Sequence, residues 1–82
     1  MDDYIDAYVV YRFKYREKDK TCRSEEVLFV VGREDMATNK IEEIAQFYRQ
    51  LNYTETKLPK GIAFSDDEES IELVYRKGHV EF

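Results

Sequence analysis

The sequence predicts an α+β fold. One small domain spans residues 1–82 in the order β-β-α-β-β. A single helix packs on one face of a mainly antiparallel four-stranded sheet. Three observations carry this expectation. Alternation of period two runs through YVVYRFKYR and SEEVLFVV, the spacing of half-buried strands. Apolar residues recur at helical spacing from Ile41 to Leu51, and two polar stretches, KDKTC and DDEE, have hairpin length. Eighty-two residues suffice for one domain, and a core this small leaves a narrow stability margin.

In the first strand the odd positions are Val9, Tyr11, Phe13 and Tyr15, and the even ones are Tyr8, Val10, Arg12, Lys14 and Arg16. The odd set reads as the core face and the even set as the wet one. Placing Glu17 opposite Arg23 brings Phe13 to Val27, Tyr11 to Phe29, Val9 to Val31 and Lys14 to Glu26, so apolar and opposite-charge pairs agree with one register. The helix is expected from a cap at Asn39, with Glu42 three residues on, to a stop near Asn52; Asp35 offers an earlier start. Ile41, Ile44, Ala45, Tyr48 and Leu51 form its apolar stripe, and Phe47 widens it. YTETKLPK, residues 53–60, reads as a connection in which Leu58-Pro59-Lys60-Gly61 makes a turn. A second hairpin pairs Gly61–Ser65 with Ser70–Arg76, placing Phe64 opposite Ile71 and Ile62 opposite Leu73. Lys77-Gly78 turns the chain into a short tail, HVEF.

Charge is uneven. The net value is −5, yet residues 12–33 carry seven basic and four acidic side chains. Overall negative charge opposes broad nucleic-acid binding, which needs positive contacts to phosphate. A single cysteine, Cys22, permits no intramolecular disulfide or cysteine zinc site and suits a reducing compartment. The opening MDDYID lacks the basic and apolar regions of a secretory signal, and no apolar run approaches a membrane span. A cytoplasmic location, of a cell or of an infected host, is therefore expected.

The chain has no glycine-rich phosphate loop, and its one histidine, His79, has no marked partner for Cys22. No catalytic residue, metal site or cofactor is expected, and the chain is read as a non-enzyme. The run Asp66, Asp67, Glu68 and Glu69 lacks the spaced oxygens of a calcium loop. With Glu42 and Glu43 it forms a candidate acidic surface for protein binding. Tyr8, Val10, Arg12, Leu28 and Val30 form a second candidate, the outer face of the first hairpin, where apolar groups rimmed by charge mark contact surfaces.

These features predict a protein whose partner is another protein. The expected type is a small acidic inhibitor or adaptor, as bacteriophages and mobile elements encode, acting on a host protein. If that host protein processes nucleic acid, the acidic surface would mimic phosphates. One alternative is single-stranded nucleic-acid binding through Arg12, Lys14, Arg16, Lys18 and Lys20. The alternation weighs against it, because rings and cations point to opposite faces and a stacking platform needs both on one side. Another alternative is a homo-oligomeric structural protein, with a homodimer formed through an uncovered sheet face or edge.

Overall fold

The computed structural model describes the backbone of residues 4–81 and the side chains of residues 6–78. The two longest strands, β1 (Tyr4–Arg16) and β5 (Glu69–Glu81), lie side by side, antiparallel, from Tyr4↔Glu81 to Arg16↔Glu69. Thirteen residues at about 3.4 Å each span roughly 44 Å, which accounts for most of the molecule's 51 Å length. β2 (Cys22–Val31) pairs with the far side of β1. β4 (Gly61–Ser65) pairs with β5, and β3 (Thr54–Leu58) pairs with β4. The sheet order is β2-β1-β5-β4-β3, all antiparallel. One helix, α1 (Glu34–Arg49), connects β2 to β3.

The fold is thus α+β with one helix and an antiparallel sheet, as expected, but with five strands in the order β-β-α-β-β-β. The extra strand is TETKL, within the stretch read as a connection. Four of its five residues are exposed. An edge strand with both faces largely wet shows no hydrophobic alternation, and charged residues on such an edge discourage further pairing. The second correction concerns the tail. β5 continues through Lys77 and Gly78, which pair with Tyr8 and Ala7, so no turn forms there.

The helix begins at Glu34, with Arg33 extended before it and no capping side chain. Asn39 and Glu42 therefore lie inside the helix rather than at its cap. Glu34 and Asp35 in the first turn suit the positive end of the helix dipole. Ala37, Ile41, Ala45 and Tyr48 are buried and Ile44 half-buried. Leu51 and Phe47, expected in the stripe, are exposed, Phe47 at 61%. The two alanines let the helix approach the sheet closely. Under it lie Val10, Ile62, Phe64, Ile71 and Leu73. Phe64, Ile71, Leu73 and Val10 are the largest fully buried side chains, each contributing roughly 1.5–3 kcal/mol relative to exposure. The Tyr48 ring stacks on Phe64, with centroids 5.3 Å apart.

The helix therefore covers the even face of β1, which reverses the expected assignment. Tyr8 and Val10 join the core and Tyr11, Phe13 and Tyr15 lie on the other side of the sheet. The β1–β2 register also differs from the expected one. Arg12 lies opposite Glu26, Tyr11 opposite Val27 and Phe13 opposite Glu25. Shifts between Val10 and Tyr11 and between Lys14 and Tyr15 make Leu28 and Arg23 extra residues in β2, which are β-bulges. By contrast, Phe64↔Ile71 and Ile62↔Leu73 pair as the sequence predicts.

Gly61, opposite Val74, lies where β4 approaches β5 closely. A Cβ there would lie 1.9 Å from the Leu73 carbonyl oxygen. That oxygen is backbone and cannot move aside without parting β4 from β5. Gly61→Ala should lower unfolding stability in urea by about 1–3 kcal/mol, the usual range of overpacked sites. Gly32→Ala, where a Cβ meets nothing within 4 Å, should change it by less than about 0.5 kcal/mol. Equal midpoints for the two variants would contradict the close approach.

Candidate interaction face

One face of the sheet carries the helix; the other carries no element of the described residues. Cross-strand pairing arranges this open face in rows. A middle row runs Leu58, Gly61, Val74, Tyr11, Val27 across all five strands. The row on one side of it runs Thr56, Ala63, Glu72, Phe13, Glu25, and the row on the other holds Arg76, Val9 and Val30. An uncharged row thus separates a row holding two carboxylates from a row holding a guanidinium.

The rings of Tyr11, Phe13 and Tyr15 stack along β1, with successive centroids 5.6 and 6.4 Å apart. Residues two apart on a strand share a face, so this ladder follows directly from the alternation in YRFKY. The Arg76 guanidinium sits 5.4 Å from the centroids of both Tyr11 and Phe13, a cation–π arrangement. Stacking and Arg76 leave Phe13 only 7% exposed although no second layer of the described residues covers it. Burial, then the charge of Glu72, pushes the Tyr15 phenol above its usual pKa. Val27 and Val30 are each 59% exposed. A shallow depression lies between the ladder and the β3–β4 turn, walled by Phe13, Tyr15, Pro59, Lys60, Glu72 and Arg76. Among the described residues, neither Arg76 nor Lys60 has a carboxylate within 4.0 Å, and Glu72 has no cation within that distance.

The structure divides the expected hairpin patch between two faces. Val10 is fully buried and Tyr8 and Leu28 pack against the core beneath the helix, so these three do not form an outer surface. Arg12 donates from Nη2 to both Glu26 carboxylate oxygens at 2.9 Å and from Nη1 to the Tyr48 hydroxyl at 3.4 Å. It is committed to holding β1, β2 and the helix together. Val30 alone of the five lies on the open face, opposite Val9. The bulge explains this separation: Leu28 reaches the core and Phe29 lies under Lys40 at 5.0 Å, while Val27 and Val30 both emerge on the far side.

Much of the acidic surface is also structural. The Asp66 carboxylate accepts hydrogen bonds from the backbone N–H groups of Glu68 and Glu69, each at 2.8 Å, a side-chain-closed turn. Glu69 accepts a hydrogen bond from the Tyr53 hydroxyl at 2.8 Å, and that bond, with burial second, pushes the Tyr53 phenol up to about 12. Glu42 and Glu55 both bind Arg49, clamping the end of the helix to β3; Glu43 lies 3.5 Å from Lys40. Asp67 and Glu68 are exposed, and their carboxylates have no ion pair among the described residues.

The basic hairpin carries its own counter-charges. Arg16 pairs with Asp19 at 3.6 Å, and Lys20 with Glu17. Lys18 is exposed and Lys14 half-buried opposite Ser24. Cys22 is exposed at the start of β2. The side chain of His79 lies outside the described residues, as do Asp2 and Asp3. Among the described residues, no group of three or more His, Cys, Asp or Glu is placed to hold a metal ion. Among the described residues, no helix is long and apolar enough to cross a membrane. No family model, curated protein or solved structure matches this chain.

The sequence signal for the open face is Tyr11, Phe13 and Tyr15, although alternation alone predicts these rings in the core. Arg76 and Glu72 gave no signal, because only the sheet order brings β5 beside β1.

Backbone hydrogen bonds from Glu69 and Glu68 hold the Asp66 carboxyl below its ordinary pKa. A carboxyl lowered on folding stabilises the fold above its unfolded value of about 3.9 and loses that contribution as pH falls through the folded value. Asp66→Ser keeps a hydrogen-bond acceptor without the charge. The wild-type advantage over Asp66→Ser, measured by urea unfolding, should be largest near neutrality and shrink as pH drops below about 4. An advantage that stays constant down to pH 2 would show that the ionised carboxylate does not hold the turn.

Proposed function

We propose that the chain is a non-catalytic protein-binding module that engages its partner through the open face of its sheet. One observation carries this reading: a stacked Tyr–Phe–Tyr ladder, bridged by Arg76 and flanked by exposed Val27 and Val30, lies on a sheet face that none of the described residues covers with a second layer. Tyr and Arg are the residue types that dominate interface energy, and they do so in apolar patches with polar rims. The inhibitor or adaptor role fits such a surface, since it requires a face and no reacting groups.

Phosphate mimicry draws less support. Of the six carboxylates proposed for it, Asp66 and Glu69 close a turn and fix Tyr53, Glu42 clamps Arg49, and Glu43 lies near Lys40. Direct nucleic-acid binding gains one feature and lacks another. The rings are on an accessible face, but Arg12 is held by Glu26, and Glu72 and Glu25 share the face with Arg76. Phosphate binding there would meet carboxylates as well as cations.

The test is a tagged capture from lysate, with and without nuclease, using the wild type and the double variant Val27→Asp/Val30→Asp. Both valines are exposed, and circular dichroism verifies the fold. A dominant nuclease-resistant protein held by the wild type and lost by the variant is the expected result. Asp67→Asn/Glu68→Gln should retain it. Capture unaffected by the valine substitutions would remove the open face from consideration. A mixture that disappears with nuclease would favour nucleic acid instead.

A further inference from the structure

We infer that the open face takes a second copy of this chain, forming a face-to-face dimer in which Arg76 of each copy meets Glu72 of the other. This inference rests on the open face being a protein-binding surface and names its occupant.

The charge pattern is what selects a second copy. Glu72 and Arg76 stand on the same face of β5, on either side of Val74. Neither has an oppositely charged side chain within 4.0 Å among the described residues. A two-fold axis laid in the plane of the face, running across the strands along the row Val74, Tyr11, Val27, leaves that uncharged row facing itself. The same rotation reverses the direction along each strand. The row bearing Glu72 and Phe13 then faces the row bearing Arg76 and Val9 of the second copy, and this happens twice. Two like-charged rows never meet. A shift along the strands that set Glu72 against Glu72 would carry a repulsive penalty, so the charges also fix the register.

Shape agrees, and the area suits a weak, reversible pair. β3 and β4 lie only on the Glu72 side of the axis, so the overlap is confined to β5, β1 and β2, about 14 Å across and about 30 Å along the strands at ordinary sheet spacings, hence roughly 400 Å² per copy. Two such faces bury about 800 Å², the size of weak, transient contacts. Two antiparallel sheets packed this way make an aligned sandwich with the helices outward. The Tyr–Phe–Tyr ladder and Val27, Val30 and Val74 would then form a second, shared core, and the half-covered rings would lose their remaining contact with water.

The experiment is sedimentation equilibrium of the full chain across a wide concentration range and at two salt concentrations. It uses wild type, Glu72→Arg, Arg76→Glu and the double variant Glu72→Arg/Arg76→Glu, each checked for fold by circular dichroism. Wild type should dimerise reversibly. Each single reversal should weaken the dimer on the order of tenfold or more, because it places like charges together at two symmetric points. The double reversal restores opposite charges and should recover the wild-type constant to within about threefold. If a reversal perturbs folding, Glu72→Gln and Arg76→Gln replace it, and each should weaken the dimer without charge repulsion. A dimer indifferent to the single variants, or one not restored by the double variant, overturns this packing. A wild type that stays monomeric throughout overturns the second copy as occupant. In that case, loss of nuclease-resistant capture in Val27→Asp/Val30→Asp leaves the protein-binding reading standing with a different partner, and retained capture ends both.

Discussion

A single helix can cover only one face of a five-stranded sheet, and everything distinctive about this molecule depends on which face it covers. The covered face supplies Val10, Ile62, Phe64, Ile71 and Leu73, compact side chains and one ring, against Ala37, Ile41, Ala45 and Tyr48. Alanines at two helix positions bring the backbone close enough for this set to exclude water. The uncovered face has larger rings on β1 and charged residues on β5, which could not be buried under an alanine-lined helix without leaving Glu72 and Arg76 desolvated. Side-chain size and charge therefore make the choice that alternation alone leaves open.

Arg12 shows how the covered face accommodates a cation. Its Nη2 donates to both carboxylate oxygens of Glu26 across the strand, and its Nη1 reaches the Tyr48 hydroxyl on the helix. Two nitrogens of one planar group thus serve two partners, which the single ammonium of a lysine would not do in this geometry. A basic residue at the rim of the core thus ties three elements together. Arg49 does similar work at the opposite margin by joining Glu42 of the helix to Glu55 of β3. The charged residues that looked most available for a partner are, in these cases, engaged in holding the sheet and helix in place.

The legible parts of the fold are those in which local pattern and long-range pairing agree. The β4–β5 register could be read because an acidic turn and two matching apolar sets specify the same alignment, and the structure keeps it. The helix was visible through Ile41, Ile44, Ala45 and Tyr48, whereas its first turn, uncapped and polar, was not. The β1–β2 register was illegible because Leu28 and Arg23 are bulge residues, and a bulge moves every residue beyond it to the other face. β3 was illegible because an exposed edge strand has no apolar face to display. Of the candidate site, the ring ladder was present in the sequence but assigned inward, since Tyr8 and Val10 on one side and Tyr11 and Phe13 on the other are equally plausible core faces. The Glu72–Arg76 arrangement depends on β5 lying between β1 and β4, a fact of sheet order that no local stretch contains.

The distribution of apolar surface also bears on how far association can proceed. A molecule with two adhesive faces builds open chains, whereas one with a single self-complementary face closes as a pair. The solvent side of the helix carries Asn39, Glu42, Glu43, Gln46 and Arg49, with Phe47 its one large exposed ring. That side offers little for a second packed layer. The sheet edges are similarly unreceptive. β3 is short and charged, and the two bulges in β2 interrupt the run of free backbone groups that another strand would need. Adhesion is thereby confined to one face. The bulge at Leu28 turns Val27 and Val30 onto that face, so a single local irregularity both blunts the edge against open-ended pairing and enlarges the surface available for closed association.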